Sequence, residues 1–402
     1  MLSLGGQIEC PAANCSAQVP VGSSITLIPM TTGPGQFRGW VGPCSGLPNC
    51  TVQADQAESV QAIFSVWSGN REIREGTDLN EATGIVFANG AIHVAMTLNR
   101  NQPAVVRYSP DGTELGRMPV VRRELARVGV FPDGTTVIAG HVPNNSDADL
   151  IGYSVAGNTI WNVPLGRQAD SFTPVLNQGA SGFVWVGETA FPGGWSVFRV
   201  DALGATSDVR GGEVGDNANR FSDFVPLQSG VTVISGSAIF PTGIQRPFVQ
   251  RAVQSASPAW TYTPIPTDVS IASSVALDAV ESSYVILDAR PVELIKFDAS
   301  GQEVWRRTIA GALDGGGARS CDLQIDPALG FVSFSAGRTN VYAYSLDGDL
   351  LWGTGSGAAL LYGVAIDDQG FVYAAGRRYE GMPSEQNTVA VVAKFDHFGN
   401  RL

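Results

Sequence analysis

Lys296-Phe297-Asp298-Ala299-Ser300-Gly301, with Trp305 four residues further on, carries the period on which most of the chain is built. An apolar strand end runs into an Asp and a Gly spaced for a tight turn, and an aromatic marks the strand that returns. The phrase recurs as Tyr344-Ser345-Leu346-Asp347-Gly348 with Trp352, and as Tyr153-Ser154-Val155-Ala156-Gly157 with Trp161. Weaker copies end at Gly112, Gly204 and Gly399, and a degraded one precedes Trp260. A second phrase, a Gly followed by an apolar strand, stands at Gly90, Gly134, Gly182, Gly230, Gly330 and Gly370, and residues 283–287 fill the remaining slot. Each phrase has seven copies, roughly 40 to 53 residues apart, a period that belongs to repeat architectures.

Each repeat holds about four short strands. In the last one, residues 363–367, 370–376 and 389–395 read as the first three, with a fourth expected after the Asp-x-x-Gly turn. A solenoid is the rival, but its repeats are shorter or helical. Four-stranded units repeated around an axis make a β-propeller. The expectation is an all-β chain, with a seven-bladed β-propeller over residues 67–402 and a small β module over residues 1–66. The last repeat stops at Leu402, where its outer strand should begin. Residues 66–73, which include Trp67, read as that missing strand. A ring closed in this way leaves no sheet edge open.

Composition bounds the function. Charged residues make up 15% of the 402, against about 25% in ordinary domains, and 48 Gly with 23 Pro favour turn-rich β structure. A net charge of −12 argues against nucleic acid and anionic membrane as partners. No apolar run approaches the roughly 18 residues of a membrane span, so membrane insertion is not expected. Of the 25 basic residues only Lys296 and Lys394 are lysines, a bias that points to a GC-rich bacterial genome.

Four of the five cysteines, Cys10, Cys15, Cys44 and Cys50, fall in the first fifty residues. In a short, loop-rich segment such cysteines read as disulfides that staple a domain too small for a good core. Four cysteines allow three connectivities. Short loops bring neighbours within bridging distance, so Cys10–Cys15 and Cys44–Cys50 are the expected pairs. The spacings lack the Cys-x2-Cys pattern of zinc sites and no histidine lies nearby. Disulfides imply export, yet residues 1–5 have neither the basic start nor the apolar run of a signal peptide. Both ends therefore read as cuts in a longer polypeptide, with any signal or anchor upstream.

Within this segment, Phe37-Arg38-Gly39-Trp40-Val41-Gly42-Pro43-Cys44-Ser45-Gly46 is followed by Cys50 and by Val60-Gln61-Ala62-Ile63-Phe64. These residues resemble the bacterial extracellular repeat related to the internalin B repeat, a β-grasp-like module. The resemblance implies a spacer or adhesive module on a secreted or surface protein, with Phe37, Trp40 and Phe64 in its core. The Asp-x-x-Gly-x-x-x-Trp rhythm of the repeats resembles the quinoprotein-like and related bacterial secreted propeller repeats.

Catalytic equipment is sparse. His93, His141 and His397 fall in different repeats, and no Gly-x-Ser-x-Gly or phosphate-binding glycine loop is present. The quinoprotein family's cofactor site implies calcium with Asn, Asp and Glu ligands and often adjacent cysteines, which the chain lacks. Asn144-Asn145-Ser146-Asp147-Ala148-Asp149 alternates oxygen donors, but without a turn Gly and a distal Glu it reads as a solvated loop rather than a calcium site. No metal and no cofactor are expected.

The site candidates come from topology. In a propeller the loop after each second strand lies on the same face as the loops that link blades. That position holds Gly337-Arg338 and Gly376-Arg377-Arg378-Tyr379, and neighbouring loops add His141, Phe191, Phe240, Arg246 and Arg290. Arginines and aromatics gathered on one face suit an anionic or carbohydrate ligand. The alternative is that these arginines pair with nearby carboxylates and only hold loops. The sequence thus reads as a non-catalytic protein of a bacterial surface or exterior, binding an extracellular protein or glycan through Arg338, Arg377, Arg378, Tyr379, His141 and Arg290. A structural subunit of a surface assembly and a quinoprotein-like or lyase-like propeller enzyme are the competing readings.

Overall fold

The computed structural model describes residues 2–3, 18–29, 36–43, 49–57, 59–65, 71–73, 79–99, 102–120, 124–141, 147–167, 175–178, 184–190, 194–213, 217–227, 231–239, 245–253, 258–264, 271–288, 291–309, 322–326, 330–336, 339–358, 360–380 and 388–402. The chain divides into two compact units, one built on Met1–Ser68 and the other on Gly69–Arg401.

The first unit holds a three-stranded sheet of Leu2–Ser3, Ser24–Ile28 and Cys50–Gln53, and a two-stranded one of Gln36–Val41 and Gln61–Ser65. Alternation along these strands turns Leu27, Cys50 and Val52 inward around Trp40, and Phe37 meets the Trp40 ring edge-on at 5.1 Å. The Phe64 side chain lies outside the described residues. Cys50 is buried. Cys10, Cys15 and Cys44 lie outside the described residues, so the pairing remains a proposal.

The second unit is a β-propeller of seven four-stranded antiparallel blades. Blade 1 comprises Glu81–Ala88, Ala91–Leu98, Gln102–Tyr108 and Glu114–Pro119. Blade 2 comprises Glu124–Val130, Thr136–His141, Asp147–Tyr153 and Thr159–Arg167. Blade 3 runs through Val175–Gln178, Val184–Ala190, Gly194–Val200 and Thr206–Glu213. Blade 4 runs through Asn217–Pro226, Val231–Ile239, Gln245–Val253 and Trp260–Tyr262. Blade 5 has Ile271–Leu277, Ser283–Asp288, Glu293–Phe297 and Glu303–Thr308. Blade 6 has Leu323–Asp326, Phe331–Ala336, Asn340–Ser345 and Leu350–Gly355. Blade 7 takes Leu360–Ile366, Val372–Tyr379 and Thr388–Phe395 from the end of the chain and Arg71–Ile73 from near its start.

That last pairing closes the ring. Ile73, Glu72 and Arg71 register against Ala390, Val391 and Val392. The closing strand is the one expected from sequence, centred a few residues past Trp67, which lies outside the described residues. Middle strands are covered on both faces by neighbouring blades, so Ala91–Leu98 and Thr388–Phe395 are buried at every position. Such strands read as unbroken apolar runs rather than as alternation.

The repeated Asp-x-x-Gly-x-x-x-Trp phrase is a docking device between blades. The indole N–H groups of Trp161, Trp260, Trp305 and Trp352 donate to Ala202 O, Ala299 O, Leu346 O and His397 O of the next blade's turn, at 2.9, 3.2, 3.2 and 3.0 Å. The glycines of those turns, Gly204, Gly301, Gly348 and Gly399, hold φ between +80° and +90°, and a Cβ on any of them would lie 2.5 to 3.0 Å from the next atoms. Only glycine satisfies both demands at once. Where a blade has no such tryptophan, another side chain serves. Arg210 of blade 3 donates to Val231 O at 2.8 Å in blade 4, and Arg71 of blade 7 donates to Gly112 O at 2.8 Å in blade 1.

Both lysines are clamps of the same kind. Lys296 Nζ donates to Leu346 O at 3.1 Å and Lys394 Nζ to Pro110 O at 2.7 Å, each in the next blade's turn. Lys394 lies 3.8 Å from the Phe371 ring centroid and Lys296 lies 5.0 Å from that of Tyr284, so the ring face shares the buried charge. An amine-reactive ester applied to the folded protein is therefore expected to modify neither Lys296 nor Lys394, and both should label once denaturant opens the ring. Peptide mapping by mass spectrometry reads this directly, and labelling of Lys394 in the native protein would refute the clamp.

Candidate functional site

The second strand of blade 7 ends in Gly376-Arg377-Arg378-Tyr379, beside the start of the first strand of blade 1. Arg377 Nη1 donates to Glu81 Oε2 at 2.9 Å, and Tyr362 OH donates to the same oxygen at 3.2 Å. The guanidinium lies 6.0 Å from the Tyr362 ring and 5.5 Å from the Tyr379 ring. Burial, and then the Glu81 charge, pushes the Tyr362 phenol up from its ordinary range, so it stays protonated and donates. Alternation along the strand turns Arg378 the other way. Its side chain is 39% exposed and it pairs with Glu72 at 2.9 Å and Glu380 at 3.7 Å.

Three sequence candidates thus meet here, and they divide by role. Arg377 is a half-buried ion-pair partner that holds blade 7 to blade 1. Arg378 presents a partly exposed, carboxylate-paired cation to solvent, whereas Tyr379 lies on the Arg377 side of the strand, its hydroxyl accepting from Arg377 Nη2 at 3.4 Å. His141 ends the second strand of blade 2, its backbone paired with Glu124 and Ala148. Arg246, half-buried, lies at the start of the third strand of blade 4. Arg338, Arg290, Phe191 and Phe240 lie outside the described residues, as do Asn144 to Ser146 of the calcium candidate. The remainder of that segment is the strand Asp147–Tyr153, in which Asp149 is buried. Among the described residues no group of three or more His, Cys, Asp or Glu side chains is placed to hold a metal ion.

His93 is buried in the second strand of blade 1. Burial, with Arg107 adding to it, lowers its pKa to about 4. His397 is likewise lowered by burial, its ring 4.2 Å from that of Phe398. These histidines are neutral over the physiological range.

A second constellation escaped the sequence reading. Arg127 of blade 2 reaches past blade 1 to place Nη1 3.4 Å from Tyr362 O in blade 7, which puts it in the axial region lined by the innermost strands. Asp223 of blade 4 accepts from Ser274 Oγ at 2.5 Å and Val275 N at 3.1 Å, both in blade 5. Asp322, just ahead of blade 6, accepts from Val364 N of blade 7 at 3.0 Å. Both receiving strands carry a register shift at that level, between Ala272 and Ser274 and between Leu361 and Gly363, and a bulge leaves a backbone donor to be satisfied. Burial, and then the charge of Asp322, raises the pKa of Asp223 to about 6. Burial raises Asp322 as well, against the opposing pull of Arg127.

The sign follows from linkage. A carboxyl that binds its proton more tightly in the folded than in the unfolded chain stabilises the fold fully below the unfolded value, and that contribution is lost as pH rises through about 6. His93 acts oppositely, its contribution being lost as pH falls from the ordinary histidine range toward 4. Comparing urea-melt stabilities of wild type and Asp223→Asn between pH 4 and 6 isolates the first effect. The wild type should gain, relative to the variant, roughly 1 kcal/mol for each unit of acidification. Parallel pH profiles would rule out Asp223 as the titrating group.

No family model matches the chain, and no curated protein matches it either. Solved structures do. The WD40 β-propeller domain of Doa1 aligns with a TM-score of 0.53 at 13% identity, over 81% of this chain and 97% of that one. The Dos1 propeller aligns at 0.49 with 10% identity, over 77% of each chain. BamB from Moraxella catarrhalis aligns at 0.44 with 12% identity, over 92% of this chain and 98% of that one. The chain is a seven-bladed β-propeller.

Proposed function

We propose that this chain is a non-catalytic binding protein that works outside a bacterial cell, holding an extracellular protein or glycan on the loop face that carries Arg378 and Tyr379. The observation that carries the reading is the pairing of roles there. Arg377 is locked between Tyr362, Tyr379 and Glu81, which braces the platform, while the adjacent Arg378 is left 39% exposed. The planar guanidinium of Arg378 suits carboxylate or sulfate groups. Export is supported by the disulfides expected from the four clustered cysteines of residues 1–66 and by the resemblance of that segment to a surface-protein module. The quinoprotein-like repeat is read as architecture without the cofactor or its turnover.

Arg338→Ala with Arg378→Ala should weaken binding to hits from a glycan array and to partners pulled from the source culture by about tenfold. The melting temperature should stay within about a degree, since exposed ion pairs contribute little. Arg377→Ala should instead lower stability, because it removes the cation paired with the half-buried Glu81. Undiminished binding by the double variant would place the site elsewhere, and turnover of any substrate by the purified protein would overturn the non-catalytic reading.

A further inference from the structure

Asn89-Gly90 is the one Asn–Gly pair in the 402 residues. It forms the two-residue turn between the first and second strands of blade 1, where Ala88 pairs with Ala91. Asn89 holds φ at +52° and Gly90 at +70°, the two positive values that Asn-Gly adopts readily in a hairpin. Both residues are exposed, and an added Cβ on Gly90 would find nothing within 4 Å. Among the described residues the Gly90 amide donates no hydrogen bond. The Asn89 side chain, in contrast, is engaged. Its Nδ2 donates to Phe131 O at 2.8 Å, in the turn that follows the first strand of blade 2. That carbonyl is fixed by its own turn, in which it also accepts from Gly134 N at 2.9 Å.

Such a pair carries its own nucleophile. Glycine has no Cβ to shield its amide, so the Gly90 nitrogen is open to attack Asn89 Cγ. The new N–C bond closes a succinimide, the Cγ–Nδ2 bond breaks, and Nδ2 leaves as ammonia with the proton given up by Gly90 N. Water then opens the ring at one carbonyl or the other, leaving aspartate or isoaspartate. We propose that Asn89 is a self-modification site and that its conversion unlatches blade 1 from blade 2. The atom that leaves is the atom that donates to Phe131 O. The carboxylate left in its place has no proton to offer and turns a negative charge toward that carbonyl. Asp-Gly fits the same turn as Asn-Gly, so the aspartate product loses the latch and keeps the hairpin. Isoaspartate adds a main-chain carbon and upsets the pairing of Ala88 with Ala91 as well. The step needs water alone and acts at the blade seam, independently of the loop face.

The test is ageing of the full chain at mildly alkaline pH in heavy-oxygen water, followed by peptide mapping with mass spectrometry. Asn89 should be the first asparagine to convert, and its heavy-oxygen label shows that conversion preceded digestion. The rate should rise with pH, because attack needs the Gly90 nitrogen without its proton. Gly90→Ala should slow the reaction several-fold, since the added methyl shields that nitrogen. Asn89→Asp should lower the melting temperature by about three degrees, one hydrogen bond being replaced by a repulsive contact. Aged wild type enriched in the converted form should melt at least as low. The proposal is overturned if Asn89 converts no faster than the other asparagines, if Gly90→Ala ages at the wild-type rate, or if Asn89→Asp melts with the wild type.

Discussion

Replacing Gly301 by alanine is expected to destabilise the ring by about 3–4 kcal/mol. Two effects combine. Gly301 holds φ at +85°, and a side chain in that left-handed region costs about 1–2 kcal/mol. A Cβ there would also lie 2.5 Å from Cγ and 2.6 Å from Cδ2 of Trp260, so the indole must leave its seat. Its hydrogen bond to Ala299 O and its contact with the Phe297 ring at 5.9 Å then go with it. Gly90→Ala is the internal control, because Gly90 holds φ at +70° with nothing within 4 Å of the added carbon. It should show the backbone cost alone, about 1 kcal/mol. Urea melts of the two variants measure the difference, and equal losses would mean that the tryptophan seat contributes nothing to blade docking.

The same contrast explains what could be read from the sequence. The Asp-x-x-Gly turn imposes its own demands within a few residues. Asp298 Oδ1 accepts from the amides of Ser300 and Gln302, and the positive φ selects Gly301, so the turn prints itself on the chain. Trp305 is legible for a related reason, since a single indole must reach a fixed carbonyl in the next repeat. The closing strand was legible only in outline. Arg71–Ile73 is held largely through backbone pairing, and Arg71 does at Gly112 what Arg307 does at Gly348. A guanidinium in place of an indole leaves no tryptophan to mark the site.

The binding face divides the same way. Topology alone placed Arg377, Arg378 and Tyr379 at the end of one strand. It could not foresee that Glu81, 296 positions away along the chain, would take up Arg377. The axial charges were invisible for the same reason. Arg127, Asp223 and Asp322 sit in segments that look like ordinary inner strands, and only the ring brings alternate blades face to face.

Arg71→Ala combined with Ile73→Ala should lower the melting temperature by about ten degrees and raise light scattering during the melt. Ile73 is buried against blade 7, and truncating a buried isoleucine costs about 2–5 kcal/mol. Arg71 donates to Gly112 O at 2.8 Å, and a charged hydrogen bond of this kind contributes about 1.5–3 kcal/mol. Lys394 binds Pro110 O in the same turn of blade 1, and Asn80 exchanges hydrogen bonds with Thr388, so the seam should weaken rather than vanish. Once Arg71–Ile73 frays, the outer edge of Thr388–Phe395 carries unpaired backbone groups, a template for another chain. Arg307→Ala provides the comparison at the seam between blades 5 and 6. It removes the equivalent bond to Gly348 O at 2.7 Å, but Trp305 still seats on that turn and the outer strand still runs from Glu303 to Thr308. The closing pair should therefore cost more and aggregate sooner than Arg307→Ala. If the two variants melt together with the same scattering, the three-residue strand is not what keeps the ring shut.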